Sequence, residues 1–330
     1  MNILSIIGTR PNILKLDKEL PQRILYSGQH TDINLKDIFF DGLTLSKPDY
    51  DLNETKLEKM IGKMRKIIRK EKPTLILVYG DTRSSLAGAI AAKEERIRLA
   101  HVEAGMRCFR SDMLEESNRV IIDHMSDIRF DPCQSAVDNL HREQLRNGIF
   151  MIGNVLFDTF GSMCPIEKTE DYESYRYLTI HRQENLNNKN KLLDIFEGLT
   201  SDEKIRFPVH PDTEKVLKNF KLTLPNIIIK LPPISYRENL TLISNARMVV
   251  TDSGGVQCEA YWTRRPCLLL RKETEWTDYV ADGWIQLVDH DSIDIMRAME
   301  NFKPQGKKQL HFPEAGAKRK IPSLVHERGS

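Results

Sequence analysis

The sequence is poor in the features that mark an unusual environment. It has five cysteines in 330 residues: Cys108, Cys133, Cys164, Cys258 and Cys267. The set is odd in number and widely spaced, with no CxxC pair. That argues against a disulfide framework or a zinc ribbon and fits reduced thiols in a cytoplasmic protein. Charge of one sign is also missing. Lys and Arg number 49 and Asp and Glu 47, a net +2. No global field draws the chain to nucleic acid or to an anionic membrane. No apolar run approaches the roughly 18 residues that a membrane span needs. The first apolar stretch, Ile3–Ile7, has no basic flank before it and runs into Gly8-Thr9-Arg10-Pro11, so it reads as a strand rather than a signal peptide. GxGxxG and GxxxxGK[ST] are absent, which removes support for dinucleotide and P-loop readings. There is no HxxxH or dense His/Asp spacing, so a metal site is not expected. No repeat is visible.

Alternation is what the sequence does have. Short β-branched runs, such as Asn2–Ile7, Thr74–Tyr79 and Leu99–Val102, alternate with amphipathic stretches such as Asn12–Leu20, Glu54–Lys70 and Ser84–Glu95. In Glu54–Lys70 the apolar residues Leu57, Met60, Ile61, Met64, Ile67 and Ile68 recur at spacings of three and four. The pattern implies βαβ units and parallel sheets. A polar stretch over Cys164–Tyr175 interrupts it, and the alternation then restarts. The expectation is two Rossmann-like α/β domains, residues 1–165 and 172–330. A terminal helix over Glu314–His326 has the option of packing back on the first.

Most of these strands end in a polar cluster. The endings are Gly8-Thr9-Arg10-Pro11, Gly80-Asp81-Thr82, His101–Gly105, His181–Glu184, Pro208–Pro211 and Thr251–Gly255. Ligands bind at the carboxyl ends of strands in open parallel sheets, and two such edges facing each other would make one cleft. Ser253-Gly254-Gly255 before a helix suits a phosphate cradle; the plainer reading is a βα turn with Ser as N-cap. Arg10 and Lys15 are placed to clamp a diphosphate, or are surface charges at a helix start. Asp81, Glu103 and Glu115, with His181 from the second half, supply acid, base and electrostatic roles. The alternatives are an N-cap for Asp81 and an i,i+4 surface pair for Glu115 with Arg119. The tryptophans read as packing.

Taken together, these phrases resemble the non-hydrolysing UDP-N-acetylglucosamine 2-epimerase family. The matching runs are GTRP…K (Gly8–Lys15), SGQHTD, DIFFDGL, LVYGDTRSSLAGA, AHVEAGMR, EESNR, HRQEN, PVHP, VVTDSGGVQCEA, RPCLLLRKETEW and ADGW, in family order. The resemblance implies a glycosyltransferase-B-like architecture with the active site in an interdomain cleft. It implies a catalytic set of Asp81, Glu103, Glu115 and His181. Substrate would be held by Arg10, Lys15, Arg119, His210, Ser253, Gly254, Gly255 and Glu259, the last on the ribose. The implied reaction is reversible epimerisation at carbon-2 of UDP-N-acetylglucosamine through elimination and re-addition of UDP. It would supply polysaccharide or glycan synthesis in a cytoplasmic homodimer, with no cofactor. Alternatives are a hydrolysing 2-epimerase, an epimerase of a related UDP-2-acetamido sugar such as a diacetamido uronate, and a glycosyltransferase. The chain departs from the family pattern at Asn12, Asp32, Asn239, Cys258 and Trp276 and is shortened near Tyr50–Thr55.

Overall fold

A computed structural model describes residues 2–28, 47–164, 168–200, 202–304 and 312–327. The chain divides into two compact units, Met1–Ser162 with Pro313–Ser330, and Met163–Phe312.

In the first unit seven parallel strands run β1 Ile3–Ile7, β2 Arg23–Tyr26, β3 Tyr50–Asp51, β4 Leu75–Tyr79, β5 Arg98–Val102, β6 Ile128–Asp131 and β7 Ile149–Met151. Their order across the sheet is β3-β2-β1-β4-β5-β6-β7. The two central strands, ILSII and LILVY, are buried at every residue, as a sheet covered on both faces requires. Successive residues alternate between two cores. Leu75, Leu77 and Tyr79 join one; Ile76 and Val78 join the other. Between the strands lie α1 Arg10–Lys15, α2 Leu57–Glu71, α3 Arg83–Glu94, α4 Leu114–Met125, α5 Gln134–Arg142 and α6 Val155–Met163. Met60, Met64 and Ile68 form the buried stripe of α2, four residues apart on one face. Helix α3 starts where Thr82 accepts a hydrogen bond from the Ser85 amide, a satisfied N-cap. Its run of Ala87, Gly88 and Ala89 allows close approach to the sheet; a Cβ on Gly88 would lie 2.9 Å from Ile6 Cδ1.

The second unit repeats the plan with six parallel strands: β8 Tyr175–Thr179, β9 Lys204–Pro208, β10 Ile228–Leu231, β11 Met248–Thr251, β12 Cys267–Leu269 and β13 Ile285–Leu287. Their order is β10-β9-β8-β11-β12-β13. The helices are α7 Gln183–Leu186, α8 Lys189–Gly198, α9 Pro211–Asn219, α10 Tyr236–Asn245, α11 Gly254–Trp262, α12 Thr277–Ala281 and α13 Ser292–Asn301. The last helix, α14 Ala317–Glu327, packs on the first unit, where Ala317, Ile321 and Val325 enter the core beside Ile13, Leu16 and Val155. Two parallel α/β sheets are what the alternation implies.

Differences of detail have local causes. Helix α1 ends at Lys15, not Leu20, because Leu16 is extended with ψ 142° and Asp17 Oδ1 accepts from the Glu19 amide, an Asx turn that competes with the helix. Helices α6, α7 and α12 and strand β3 are additional to the elements read from sequence.

Candidate functional site

Both sheets reverse their strand order once. In the first unit the chain winds outward from β1 through β2 and β3, then from β4 through β7 on the other side. In the second it does so from β8 and from β11. The switch points therefore lie between β1 and β4, and between β8 and β11. Such points open a crevice at the carboxyl ends of the strands. Gly8-Thr9 and Gly80-Asp81 leave the first pair; Ile180-His181 and Asp252-Ser253 leave the second.

At the first switch the backbones are tied together by Asn12. Its Oδ1 accepts from the Gly8 and Thr9 amides at 3.2 Å, and its Nδ2 donates to Tyr79 O at 3.1 Å. Asn12, a departure from the family's residue, thus locks β1 to β4. Gly8 is obligatory here, because a Cβ would lie 1.9 Å from Ser84 Oγ. The side chain of Arg10 lies outside the described residues, as do SGQHTD beyond Gly28 and the DIFFDGL phrase. Lys15, at the end of α1, forms an ion pair with Glu103. Glu103 follows β5 in a left-handed conformation, φ +73°, unusual for a residue with a Cβ. That conformation and the positive φ of Gly80, +63°, bring the carboxylate over the end of β4. A Cβ on Gly80 would be 3.1 Å from Glu103 Oε2 and 3.3 Å from Lys15 Nζ.

Asp81 is held by Arg119 Nη2 at 2.5 Å, and its carbonyl accepts from Asn118 Nδ2 at 2.8 Å. Both partners come from α4. The i,i+4 pairing of Arg119 with Glu115 does not form. Arg119 is buried and pairs instead with Glu116, 2.7 Å away. Glu116 also accepts from the Cys108 and Phe109 amides. Glu115 is exposed and makes no hydrogen bond or ion pair among the described residues. The helix turns one glutamate inward to build the loop and leaves its neighbour outward in the first turn, where the helix dipole favours a carboxylate.

Behind these ends lies a buried network that the sequence reading did not single out. His101 Nδ1 faces Asp123 Oδ1 at 2.7 Å and its Nε2 faces Gly80 O at 3.0 Å. Asp123 Oδ2 accepts from the Gly105 amide at 3.0 Å and meets Arg107 at 2.8 Å. Burial alone would raise the Asp123 carboxyl, but His101 and Arg107 hold it below the usual range. One carboxylate thereby fixes the segments that carry Asp81 and Glu103.

The second unit has the corresponding arrangement. Asp252, fully buried, accepts from the His181 and Arg182 amides and from Asn185 Nδ2 at 3.0–3.2 Å. Its Oδ1 lies 3.3 Å from His181 Nδ1, which orients the half-exposed imidazole. The strand-end Asp before SGG was the sequence signal for this anchor. His210 caps α9, its Nδ1 accepting from the Asp212 amide at 3.2 Å. Its ring centroid is 6.4 Å from that of His181. Ser253 caps α11 by accepting from Val256 N, so Gly254 and Gly255 open the helix behind a capped turn. Cap and anion cradle are compatible, since an N-terminus has four amides to satisfy. Glu259, on the same helix, is buried, and Oε2 has no hydrogen-bond partner. Tyr236 faces it without a well-aligned bond, and burial pushes the carboxyl up to about 7. Trp276 is packed, stacking on Tyr279 at 5.4 Å, which stacks on Tyr261 at 3.9 Å.

Of the expected set, Lys15, Asp81, Glu103, Glu115 and Arg119 lie in the first unit, where Lys15 meets Glu103 and Arg119 meets Asp81; His181, His210, Ser253–Gly255 and Glu259 lie in the second, where Asp252 meets His181. No cluster of three or more potential metal ligands occurs among the described residues, and none of their helices is long and apolar enough to cross a membrane.

The profile of the UDP-N-acetylglucosamine 2-epimerase family matches residues 12–321. A UDP-N-acetylglucosamine 2-epimerase homolog from Methanococcus maripaludis is 38% identical, covering 98% of this chain and 99% of that protein. A UDP-2,3-diacetamido-2,3-dideoxy-D-glucuronate 2-epimerase from Pseudomonas aeruginosa is 37% identical over 86% of this chain and 87% of its own. The crystal structure of the Methanocaldococcus jannaschii UDP-GlcNAc 2-epimerase with UDP-GlcNAc and UDP superposes with a TM-score of 0.91 at 36% identity, covering 99% and 100% of the two chains. The glycotransferase of kitacinnamycin shares the fold alone, with a TM-score of 0.55 at 10% identity over 99% of this chain and 94% of that one. With the family profile spanning nearly the whole chain and relatives above 30% identity along almost all of it, this chain belongs to the UDP-N-acetylglucosamine 2-epimerase family.

Proposed function

We propose that this enzyme interconverts UDP-N-acetylglucosamine and UDP-N-acetylmannosamine without net hydrolysis. The observation that carries the reading is local. Two strand-end carboxylates, Asp81 and Glu103, are each held by a cation, while Glu115 projects unpaired from the next helix. Carbon-2 of the sugar has no adjoining carbonyl, so its proton is not acidic enough to exchange directly. Elimination avoids that barrier. A carboxylate takes the carbon-2 proton, the carbon-1–oxygen bond breaks with its electrons going to the diphosphate, and a carbon-1–carbon-2 double bond remains as 2-acetamidoglucal. Re-addition of the UDP oxygen to carbon-1, with a proton delivered to the opposite face of carbon-2, gives the epimer. No atom is gained or lost.

Asp81, Glu103 and Glu115 are the acid–base groups in this scheme, and a placed acid–base group contributes about 10²–10⁴-fold. His181, oriented by Asp252, with Arg10, Lys15 and the Ser253-Gly254-Gly255 helix start, stabilises the departing diphosphate, where charge develops. Arg119 orients Asp81, His210 lines the same edge as His181, and Glu259 takes the ribose hydroxyls. The enzyme acts as a homodimer, consistent with the exposed apolar side chains Phe109, Leu114 and Ile121, and its product feeds glycan or polysaccharide synthesis.

The test is proton NMR of the enzyme with UDP-N-acetylglucosamine in heavy water. Deuterium at carbon-2 with UDP-N-acetylmannosamine appearing is the expected result. Free N-acetylmannosamine and UDP would identify a hydrolysing enzyme instead. Close similarity to the Pseudomonas enzyme favours one second reading, a diacetamido uronate as the sugar. Exchange with that UDP-sugar and none with UDP-N-acetylglucosamine would establish it.

A further inference from the structure

Lys318 lies on α14, 304 residues from Leu14, yet its ammonium is bound to the end of α1. Nζ donates to Leu14 O at 2.9 Å, to Leu16 O at 2.7 Å and to Thr159 Oγ1 at 2.6 Å. An ammonium has three N–H bonds, and all three are used. Leu14 and Leu16 are the residues on either side of Lys15. Their carbonyls belong to the last turn of α1, where no intrahelical amide reaches them and where a cation is favoured by the helix dipole. Thr159, on α6, donates its hydroxyl to Leu14 O at 2.6 Å as well. The lysine is itself fixed, because Asp158 of α6 accepts from the Gly316 and Lys318 amides at 2.6 and 2.8 Å. Two segments distant in sequence, α6 and α14, thus converge on the carbonyls of the two residues that flank Lys15.

We infer that Lys318 is a positioning residue for Lys15, pinning both neighbouring carbonyls so that the Lys15 ammonium is held ready for the diphosphate of the nucleotide sugar. The inference rests on the proposed role of Lys15 in that binding. It explains why a buried cation is spent on main-chain oxygens rather than on a carboxylate. Asp17 and Lys18, just past α1, and Asp158 on α6 are the charged groups that face it. Burial lowers the ammonium to about 8, against the pull of Asp17 and Asp158. A deprotonated Lys318 has two N–H bonds for three acceptors, so one of the clamps opens.

The experiment is calorimetric titration of UDP into the full-length wild type, Lys15→Ala, Lys318→Met and the double variant, with the pH dependence of wild type and Lys318→Arg. Lys15→Ala is expected to weaken UDP on the order of ten- to a hundredfold, the worth of a charge-assisted phosphate contact. Lys318→Met is expected to weaken it about tenfold, and the double variant to be no weaker than Lys15→Ala, since the two act through one group. UDP affinity of the wild type should fall as pH rises through about 8, and that fall should be absent in Lys318→Arg, which stays charged. Unchanged affinity in Lys318→Met, losses that add in the double variant, or the same alkaline fall in Lys318→Arg would each overturn the inference while Lys15 keeps its role. Full UDP affinity in Lys15→Ala would overturn the role of Lys15 and the inference with it. If Lys318→Met does not fold, the pH profile of Lys318→Arg decides alone.

Discussion

Glu115 and Glu116 are adjacent in sequence and opposite in environment, and the difference can be measured. Glu116 is buried, paired with Arg119 and bonded to two loop amides; Glu115 is exposed. Glu115→Gln should cut turnover by about 10²–10⁴-fold and leave the urea midpoint where it is. Glu116→Gln should lower stability by about 2–3 kcal/mol, because it removes one of the two carboxylates paired with the buried Arg119 guanidinium and weakens the acceptor of two loop amides. Steady-state rates and urea unfolding on both variants separate the two; a catalytic loss confined to Glu116→Gln would exchange their roles. Glu259 gives a second prediction. Burial raises its carboxyl to about 7 in the free enzyme, and the ionised form, with both oxygens accepting, holds the ribose hydroxyls more strongly than the acid. The carboxylate fraction grows from pH 6 to pH 8, so UDP should bind about tenfold more tightly at the higher pH through this group. The sign is set by burial: a raised carboxyl binds a proton that the nucleotide must expel. Calorimetry at the two pH values checks it, with Glu259→Gln as the reference that lacks this gain and keeps only the pH dependence of the other groups.

At the scale of elements, the strands and their polar endings were legible because a buried parallel strand is a nearly continuous apolar run. The first charged or small residue after it marks where it leaves the sheet. Gly80-Asp81, Glu103 and Thr251–Gly255 announced themselves in this way. What was not legible was the support beneath them. Asp123 sits in the last turns of α4 and reads as a surface acid. Its partners His101 and Gly105 lie 22 and 18 residues away, and only the β5–α4 packing brings them together. Helix α1 shows the same limit: an Asx turn at Asp17 overrides a pattern that would carry the helix to Leu20. The network makes a prediction about α4 as a whole. Asp123→Asn keeps the shape but removes the charge that compensates buried Arg107 and the carboxylate that holds His101. Unfolding should become easier by about 3 kcal/mol, and the Gly80 and Gly105 ends should loosen together. Hydrogen exchange at both glycine amides reads this out, and loosening at one without the other would mean that Asp123 does not couple them.

At the scale of the whole molecule, chain order and structural order differ at the C-terminus. The second unit ends at Phe312, and the chain from Pro313 onward belongs to the first. The reason is apolar. Ala317, Ile321 and Val325 are 0–1% exposed and complete the core that Ile7, Ile13, Leu16 and Val155 begin. Burying an Ile or Val side chain is worth about 1.5–3 kcal/mol, so Ile321 and Val325 alone contribute several kcal/mol. That is a large share of the roughly 5–15 kcal/mol that separates folded from unfolded domains. A chain truncated after Phe312 should therefore lose the first unit, although every one of that unit's strands is still present. The second unit retains its own core around Leu178, Phe207, Val250 and Leu268 and should survive. Limited proteolysis of the truncated chain should leave a protected fragment close to Met163–Phe312, and amides of β1 and β4 should exchange freely. Protection of the first unit in that experiment would mean that α14 covers a core already closed without it, and that the buried Ile321 and Val325 add little to its stability.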